Sequence, residues 1–205
     1  MSTIHILDYG VGNIGSLNRL FRSLGLSVVR ATRPEQIAST PLLLLPGVGS
    51  AVTALERIHA LSLLEPLRAR HAAGQPILGI CLGAQLLFSH LAEANDAAGL
   101  GLLPGRVAPL TGSPSFHTGW SSLDHERLVA LGLARALRPA DAFFFNHQYV
   151  CPPAGAPRHV PVAALPQVPA LYLAGHLVGI QFHPEKSQGQ GRLLVRNILE
   201  DHYGF

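Results

Sequence analysis

Apolar positions in the first half of the chain change their spacing from one segment to the next. Residues 3–8 (TIHILD), 27–31 (SVVRA), 41–45 (PLLLL) and 77–80 (ILGI) are short runs rich in apolar and β-branched side chains, which predicts four strands. The unbroken run at 41–45 suits a strand buried on both faces of a parallel sheet. Between the runs the period becomes helical. Ile14, Leu17, Leu20, Phe21 and Leu24 share one helical face, and residues 51–73 follow the same pattern with an interruption near Pro66. A helix-like segment also follows the fourth run, from residue 85 to about residue 93. Strand alternating with helix predicts a parallel sheet with helices on its faces.

The second half has a different texture. Strand-like segments at 106–110, 142–150, 160–164, 171–174 and 178–182 are separated by Gly/Pro turns, and His176 reads as a hairpin tip. Some of these strands should join the sheet antiparallel. Residues 191–202 read as a closing helix with Leu194, Ile198 and Leu199 towards the core. No linker, repeat or low-complexity stretch divides the chain, and its 205 residues suit a single domain over 1–205.

Composition narrows the function classes. The chain is 48% hydrophobic and 13% charged, enough to build a core. Its net charge of +3 is scattered, without the Lys/Arg run of a nucleic-acid footprint. Lys186 is the only lysine among fifteen cationic residues, which singles it out for a specific role. Two cysteines, Cys81 and Cys151, are too few for a disulfide framework. With no signal-peptide pattern and no apolar run long enough to span a bilayer, a cytoplasmic setting is expected. Cys-x-x-Cys and His-Glu-x-x-His are both missing from the sequence, so no metal is expected. Gly10-x-Gly12-x-x-Gly15 matches a dinucleotide fingerprint, but the second strand ends in Arg30 and Arg33 rather than in the acid that holds a ribose. An arginine there does not exclude a phosphorylated cofactor. A tight turn with close helix packing is the favoured reading, and no cofactor is expected.

The candidate chemistry centres on residues 76–88, PILGICLGAQLLF. Gly79-x-Cys81-x-Gly83 is the thiol counterpart of the Gly-x-Ser-x-Gly elbow, a nucleophile on a tight strand-to-helix turn. A helix N-terminus beneath the sulfur favours thiolate. The nucleophile needs a base, an orienting acid and oxyanion donors. His183 and Glu185 lie two apart before and after Pro184, which holds His183 extended, so both side chains should point to one side. A carboxylate there fixes the imidazole tautomer. The amide of Leu82 supplies one oxyanion donor. The loop Pro46-Gly47-Val48-Gly49-Ser50 offers the Val48 amide as the second, with Gly47 giving the peptide freedom to rotate. His59, His71 and His90 read as surface histidines, and Cys151 as a structural thiol.

Taken together, Cys81, His183, Glu185, the GICLGAQ elbow and the PGVG loop resemble a class I glutamine amidotransferase. Residues 8–13 (DYGVGN), 45–50 (LPGVGS), 99–107 (GLGLLPGRV), 117–123 (HTGWSSL) and 181–188 (QFHPEKSQ) are similar, across essentially the whole chain, to glutaminase subunits of imidazole glycerol phosphate synthases. The resemblance implies a flavodoxin-like three-layer sandwich, with a mostly parallel central sheet and extra antiparallel strands in the second half. It implies that Cys81 attacks the glutamine side-chain amide, with His183 as base, Glu185 as its orienter, and Val48 and Leu82 as oxyanion donors. Gly47, Gly49, Gln85, Glu93, His147, Gln148 and Tyr149 would line the glutamine site. Gln148 stands where the family commonly has a small hydroxyl residue, and Ser121 where it has asparagine. The implied partner is a (β/α)₈-barrel cyclase subunit in a heterodimer, faced by Asn13, Trp120 and Lys186, that uses the ammonia to make imidazole glycerol phosphate and AICAR in histidine biosynthesis. Neither nucleic acid nor membrane is an expected partner. A glutaminase serving another synthase, or an inactive protein of the same fold, are the alternatives.

Overall fold

The apolar runs of the first half become the strands β1 (Thr3–Leu7), β2 (Ser27–Ala31), β3 (Leu43–Leu45) and β4 (Ile77–Ile80) of one sheet. The computed structural model describes residues 2–112, 115–151 and 158–205. From the second half come β11 (Arg158–Val162), β12 (Leu165–Ala174) and β13 (Leu177–Ile180). The strand order is β11-β12-β13-β4-β3-β1-β2. The strands β13, β4, β3, β1 and β2 run parallel, and β12 and β11 add antiparallel at one edge. The parallel block has the order of flavodoxin-like folds. Gly175 and His176 form the tip between β12 and β13, as expected.

Alternate side chains explain the layers. Leu42 and Leu44 enter one core with Ile4, Ile6 and the apolar face of α1 (Ile14–Ser23). Leu43 and Leu45 enter the other, with Ala54 and Ile58 of α3 (Ala51–Ala60) and Leu67 of α4 (Leu64–Ala72). A strand with both faces buried cannot alternate apolar with polar, which is why 41–45 reads as a continuous run. A single-turn α2 (Glu35–Ala38) links β2 to β3. Arg70 of α4 is 2% exposed. Its guanidinium donates to the carbonyls of Pro76 and Ile37, tying α4 to β4 and α2.

Several boundaries depart from the sequence reading. The break in residues 51–73 falls at residues 61–63, where Ser62 takes a positive φ, and Pro66 sits inside the first turn of α4. A first-turn residue has no intrahelical acceptor for its N–H, so proline costs nothing there. The helix expected at 85–93 is instead one turn, α5 (Leu82–Leu86), followed by β5 (Phe88–Leu91). The carbonyls of Leu86 and Leu87 accept from Leu100, Leu102 and Leu103, and this tertiary pairing replaces the i→i−4 ladder. With β6 (Ala97–Ala98), β7 (Leu103–Pro109) and β10 (Tyr149–Val150), β5 forms a four-stranded second sheet. A two-stranded ribbon of β8 (His117–Ser122) and β9 (Ala142–His147) stands beside it, with α6 (His125–Ala130) after β8. The segment expected as one strand over 142–150 is thus two, broken at Gln148. The closing helix α7 (Gln188–Asn197) starts earlier than expected and ends in a wider turn, Ile198–His202. His71 is half-buried rather than on open surface, with Nδ1 2.9 Å from Nε2 of His176.

Candidate active site

Three neighbouring strand ends build the site. Ile80 of β4 pairs with Ile180 of β13, and Leu45 of β3 pairs with Gly79. The residues that follow each strand therefore converge at the C-terminal edge of the sheet, where such folds place ligands. Cys81 follows β4 directly. Its backbone is at φ 54° and ψ −114°, and its N–H donates to the Ile180 carbonyl at 2.6 Å. A non-glycine residue at such an angle costs about 1–3 kcal/mol and persists only where its surroundings hold it. Gly83 is part of what holds it, since a Cβ there would lie 1.9 Å from the Leu45 carbonyl oxygen. Helix α5 begins at Leu82, whose first-turn N–H has no intrahelical acceptor.

His183 follows β13 and is 3% exposed. Its N–H donates to the Phe144 carbonyl at 2.8 Å, and its own carbonyl accepts from Ser187 Oγ at 2.6 Å. Glu185 Oε1 lies 3.0 Å from His183 Nδ1. The two side chains do meet, but extended chain is not the cause. His183 is extended, whereas Pro184–Lys186 is a 3₁₀ turn that folds the carboxylate back onto the ring. Asn13 Nδ2 reaches the same Glu185 oxygen at 3.5 Å. Burial alone would lower the His183 pKa. Hydrogen bonding to the Cys81 and Glu185 side chains, with their negative charge, outweighs it and raises the pKa to about 9. The ring therefore stays protonated through neutral pH and loses its proton as pH rises through about 9. Histidine ¹⁵N titration should show this midpoint, and Cys81→Ala should shift it downwards by removing the sulfur. A midpoint at or below the ordinary histidine range in the intact protein would refute the contact with Cys81.

A cavity of about 480 Å³ opens over Cys81 and His183. Of the expected residues, Asn13, Val48, Gly49, Leu82, Gln85, Glu93, His147, Gln148, Tyr149 and Lys186 also line it. Gly47, Glu185 and Trp120 do not. Gly47 packs its loop against the elbow, where a Cβ would be 2.5 Å from the Gly83 nitrogen, so close approach rather than rotational freedom requires glycine. Glu185 is behind His183. Trp120 is 49% exposed on β8, in edge contact with Phe144. Glu93 Oε1 accepts from the Ala51 N–H at 3.1 Å, and Ser50 Oγ caps the same helix at Val52. Lys186 Nζ sits 5.4 Å above the Phe144 ring. Asn146, the first residue of the 146–149 segment that the resemblance sets on the substrate wall, lines the cavity too, and so does Phe116, which nothing in the sequence marked. Beside the 10–15 glycine loop, Arg30 of β2 is paired with Asp8. Among the described residues, no group of three His, Cys, Asp or Glu side chains could hold a metal ion. No helix among them is long and apolar enough to cross a membrane.

Residues 5–201 match the sequence profile of the family described as glutamine amidotransferase class-I. This chain is a class I glutamine amidotransferase. Among relatives of this amidotransferase is the "imidazole glycerol phosphate synthase subunit HisH" of Lactococcus lactis, 37% identical over 98% of this chain and 100% of that one. The protein of the same name from Xylella fastidiosa is 38% identical over 98% of each. The fold likeness extends to a solved glutamine amidotransferase, with TM-score 0.76 and 20% identity over 96% of this chain and 97% of the other. A chain in the PurLQS structure of Thermotoga maritima gives TM-score 0.73 at 18% identity over 98% of each.

Proposed function

We propose that this amidotransferase hydrolyses glutamine to glutamate and ammonia and supplies the ammonia, in histidine biosynthesis, to the synthase subunit that makes imidazole glycerol phosphate and AICAR. The observation that carries the reading is the strained Cys81 turn beside buried His183 in one cavity, with Glu185 hydrogen-bonded to the ring from behind. Relatives named as HisH along their whole length support this synthase over another ammonia user.

In this reading Cys81 Sγ attacks the side-chain carbonyl carbon of glutamine. The tetrahedral oxyanion is held by the N–H groups of Leu82 and Val48. The carbon–nitrogen bond breaks as His183 passes its proton to the departing nitrogen, which leaves as ammonia. Water, deprotonated by His183, then attacks the glutamyl thioester through a second oxyanion and expels the thiolate. Glu185 holds Nδ1 and stabilises the imidazolium throughout. Asn13 steadies Glu185 from the other side. Gly49, Gln85, Glu93 and residues 147–149 form the walls for the amino-acid end of glutamine.

Ammonia released to water becomes ammonium and loses its nucleophilic lone pair, so delivery needs a partner seated over the site. The reading places a (β/α)₈-barrel synthase subunit against Asn13, Trp120 and Lys186, in a cytoplasmic heterodimer, with residues 1–205 as one domain. The test is ammonia and glutamate release by the purified chain, alone and with such a barrel subunit and its ligand. Stoichiometric release that rises with the partner is expected. No glutamine hydrolysis in either setting would refute the proposal.

A further inference from the structure

The ribbon of β8 and β9 carries a chain of hydrogen bonds that the triad does not use. Ser121 Oγ lies 2.9 Å from His117 Nε2. His117 Nδ1 lies 3.1 Å from His147 Nε2. His147 Nδ1 lies 2.9 Å from the Tyr149 carbonyl oxygen. That same oxygen accepts from Gln85 Nε2 at 2.9 Å, and Gln85 Nε2 also reaches Gln181 Oε1 at 3.2 Å. His117 and His147 are directly opposed across the two strands, and His117 is stacked on Phe145 with ring centroids 4.4 Å apart.

The end of this chain fixes its direction. A carbonyl only accepts, so His147 must carry its proton on Nδ1. In a neutral ring Nε2 is then an acceptor, and it requires a proton on His117 Nδ1. His117 Nε2 becomes an acceptor in turn, and the Ser121 hydroxyl donates to it. Burial favours neutral rings, pushing the pKa of His147 down to about 4 and that of His117 below its ordinary value. At the far end both protons of the Gln85 amide nitrogen are committed, to Tyr149 and to Gln181. Gln85 is 5% exposed and lines the cavity, and its side-chain Oε1 has no hydrogen-bond partner among the described residues.

We infer that Ser121, His117 and His147 form a one-directional hydrogen-bonded relay that fixes the Tyr149 carbonyl and, through it, turns the Gln85 amide so that its oxygen is presented to the N–H groups of bound glutamine. This rests on the glutaminase reading. The three are positioning residues, and they run from the rim next to Trp120 to the cavity wall. Serine at 121 completes the relay because its hydroxyl can donate to His117 Nε2 across one face of β8.

The tautomers test the relay without any assay of activity. Long-range ¹H–¹⁵N spectra of the full chain near neutral pH should show both His117 and His147 protonated on Nδ1 and bare on Nε2. Either ring found protonated on Nε2 overturns the relay. The second arm titrates L-glutamine into the Cys81→Ala protein, which binds without turnover. Adding His117→Phe, which keeps a stacked ring but removes the donor, should weaken glutamine about tenfold, the worth of one hydrogen bond. In the Cys81-intact enzyme the same change should raise KM and leave kcat within a few-fold. An unchanged affinity with only a lowered melting temperature would mean packing alone, and would overturn the inference. Should His117→Phe fail to fold, Ser121→Ala decides. It should move the His117 Nε2 resonance and weaken glutamine, and Ser121→Asn, whose amide can donate, should restore both. Failure of Cys81→Ala to bind glutamine while both tautomers hold would instead sink the glutaminase reading.

Discussion

Cys81→Ala is expected to lower glutamine hydrolysis by about 10⁶-fold, the scale on which a triad enzyme loses rate without its nucleophile. The substitution removes the sulfur proposed to carry the thioester while leaving the cavity and the two proposed oxyanion donors in place. Ammonia supplied directly bypasses this chain, so the complex with a synthase barrel should keep its ammonia-dependent synthesis. A Cys81→Gly companion separates chemistry from folding. It should be equally inactive, yet more stable than Cys81→Ala, because glycine accepts φ 54° without the strain an alanine Cβ retains. Glutamate release by purified Cys81→Ala at a rate close to wild type would show that another group is the nucleophile.

Gly47→Ala is expected to lower kcat by about 10²–10³-fold, the usual loss when one oxyanion donor is displaced. Its new Cβ would lie 2.5 Å from the Gly83 nitrogen and 2.8 Å from Leu82 Cβ, and neither backbone can yield without moving the elbow. The loop carrying Val48 and the turn carrying Cys81 would be driven apart by a fraction of an ångström or more. In the proposed oxyanion site both donors would aim at one oxygen, so their separation would matter more than their presence. Steady-state kinetics should show the loss in kcat, with the KM for glutamine changed much less and the far-ultraviolet circular dichroism retained. Wild-type kcat in a folded Gly47→Ala protein would remove the 46–50 loop from the oxyanion site.

The parallel block was legible because strands buried on both faces leave continuous apolar runs, as in Leu43–Leu45. The elbow was legible because only glycine fits against the Leu45 carbonyl, so Gly83 marks it. Where contacts from elsewhere in the chain set the conformation, local pattern failed. Residues 88–91 carry a helical pattern but pair with β6 and β7, and no reading of those four residues alone could show it. Strand β8, HTGWSS, has no apolar alternation at all. It exists by pairing with β9 along six residues. The part played by His117, though it opens the 117–123 stretch, was not legible for the same reason. Its meaning lies in His147 across the ribbon, thirty residues away. Glu185 was placed correctly by a wrong route, since an extended chain and a 3₁₀ turn can bring the same two side chains together.

The strand order also sets a schedule for folding. The strand β13, which lies between β4 and β12, is the last strand of that sheet to be made. Until residues 177–180 leave the ribosome, β4 presents one unpaired edge, a buried-type ILGI strand with no charge to discourage another chain. The nascent protein is therefore sticky and catalytically silent at once, and the same few residues that cover the edge also bring His183 to Cys81.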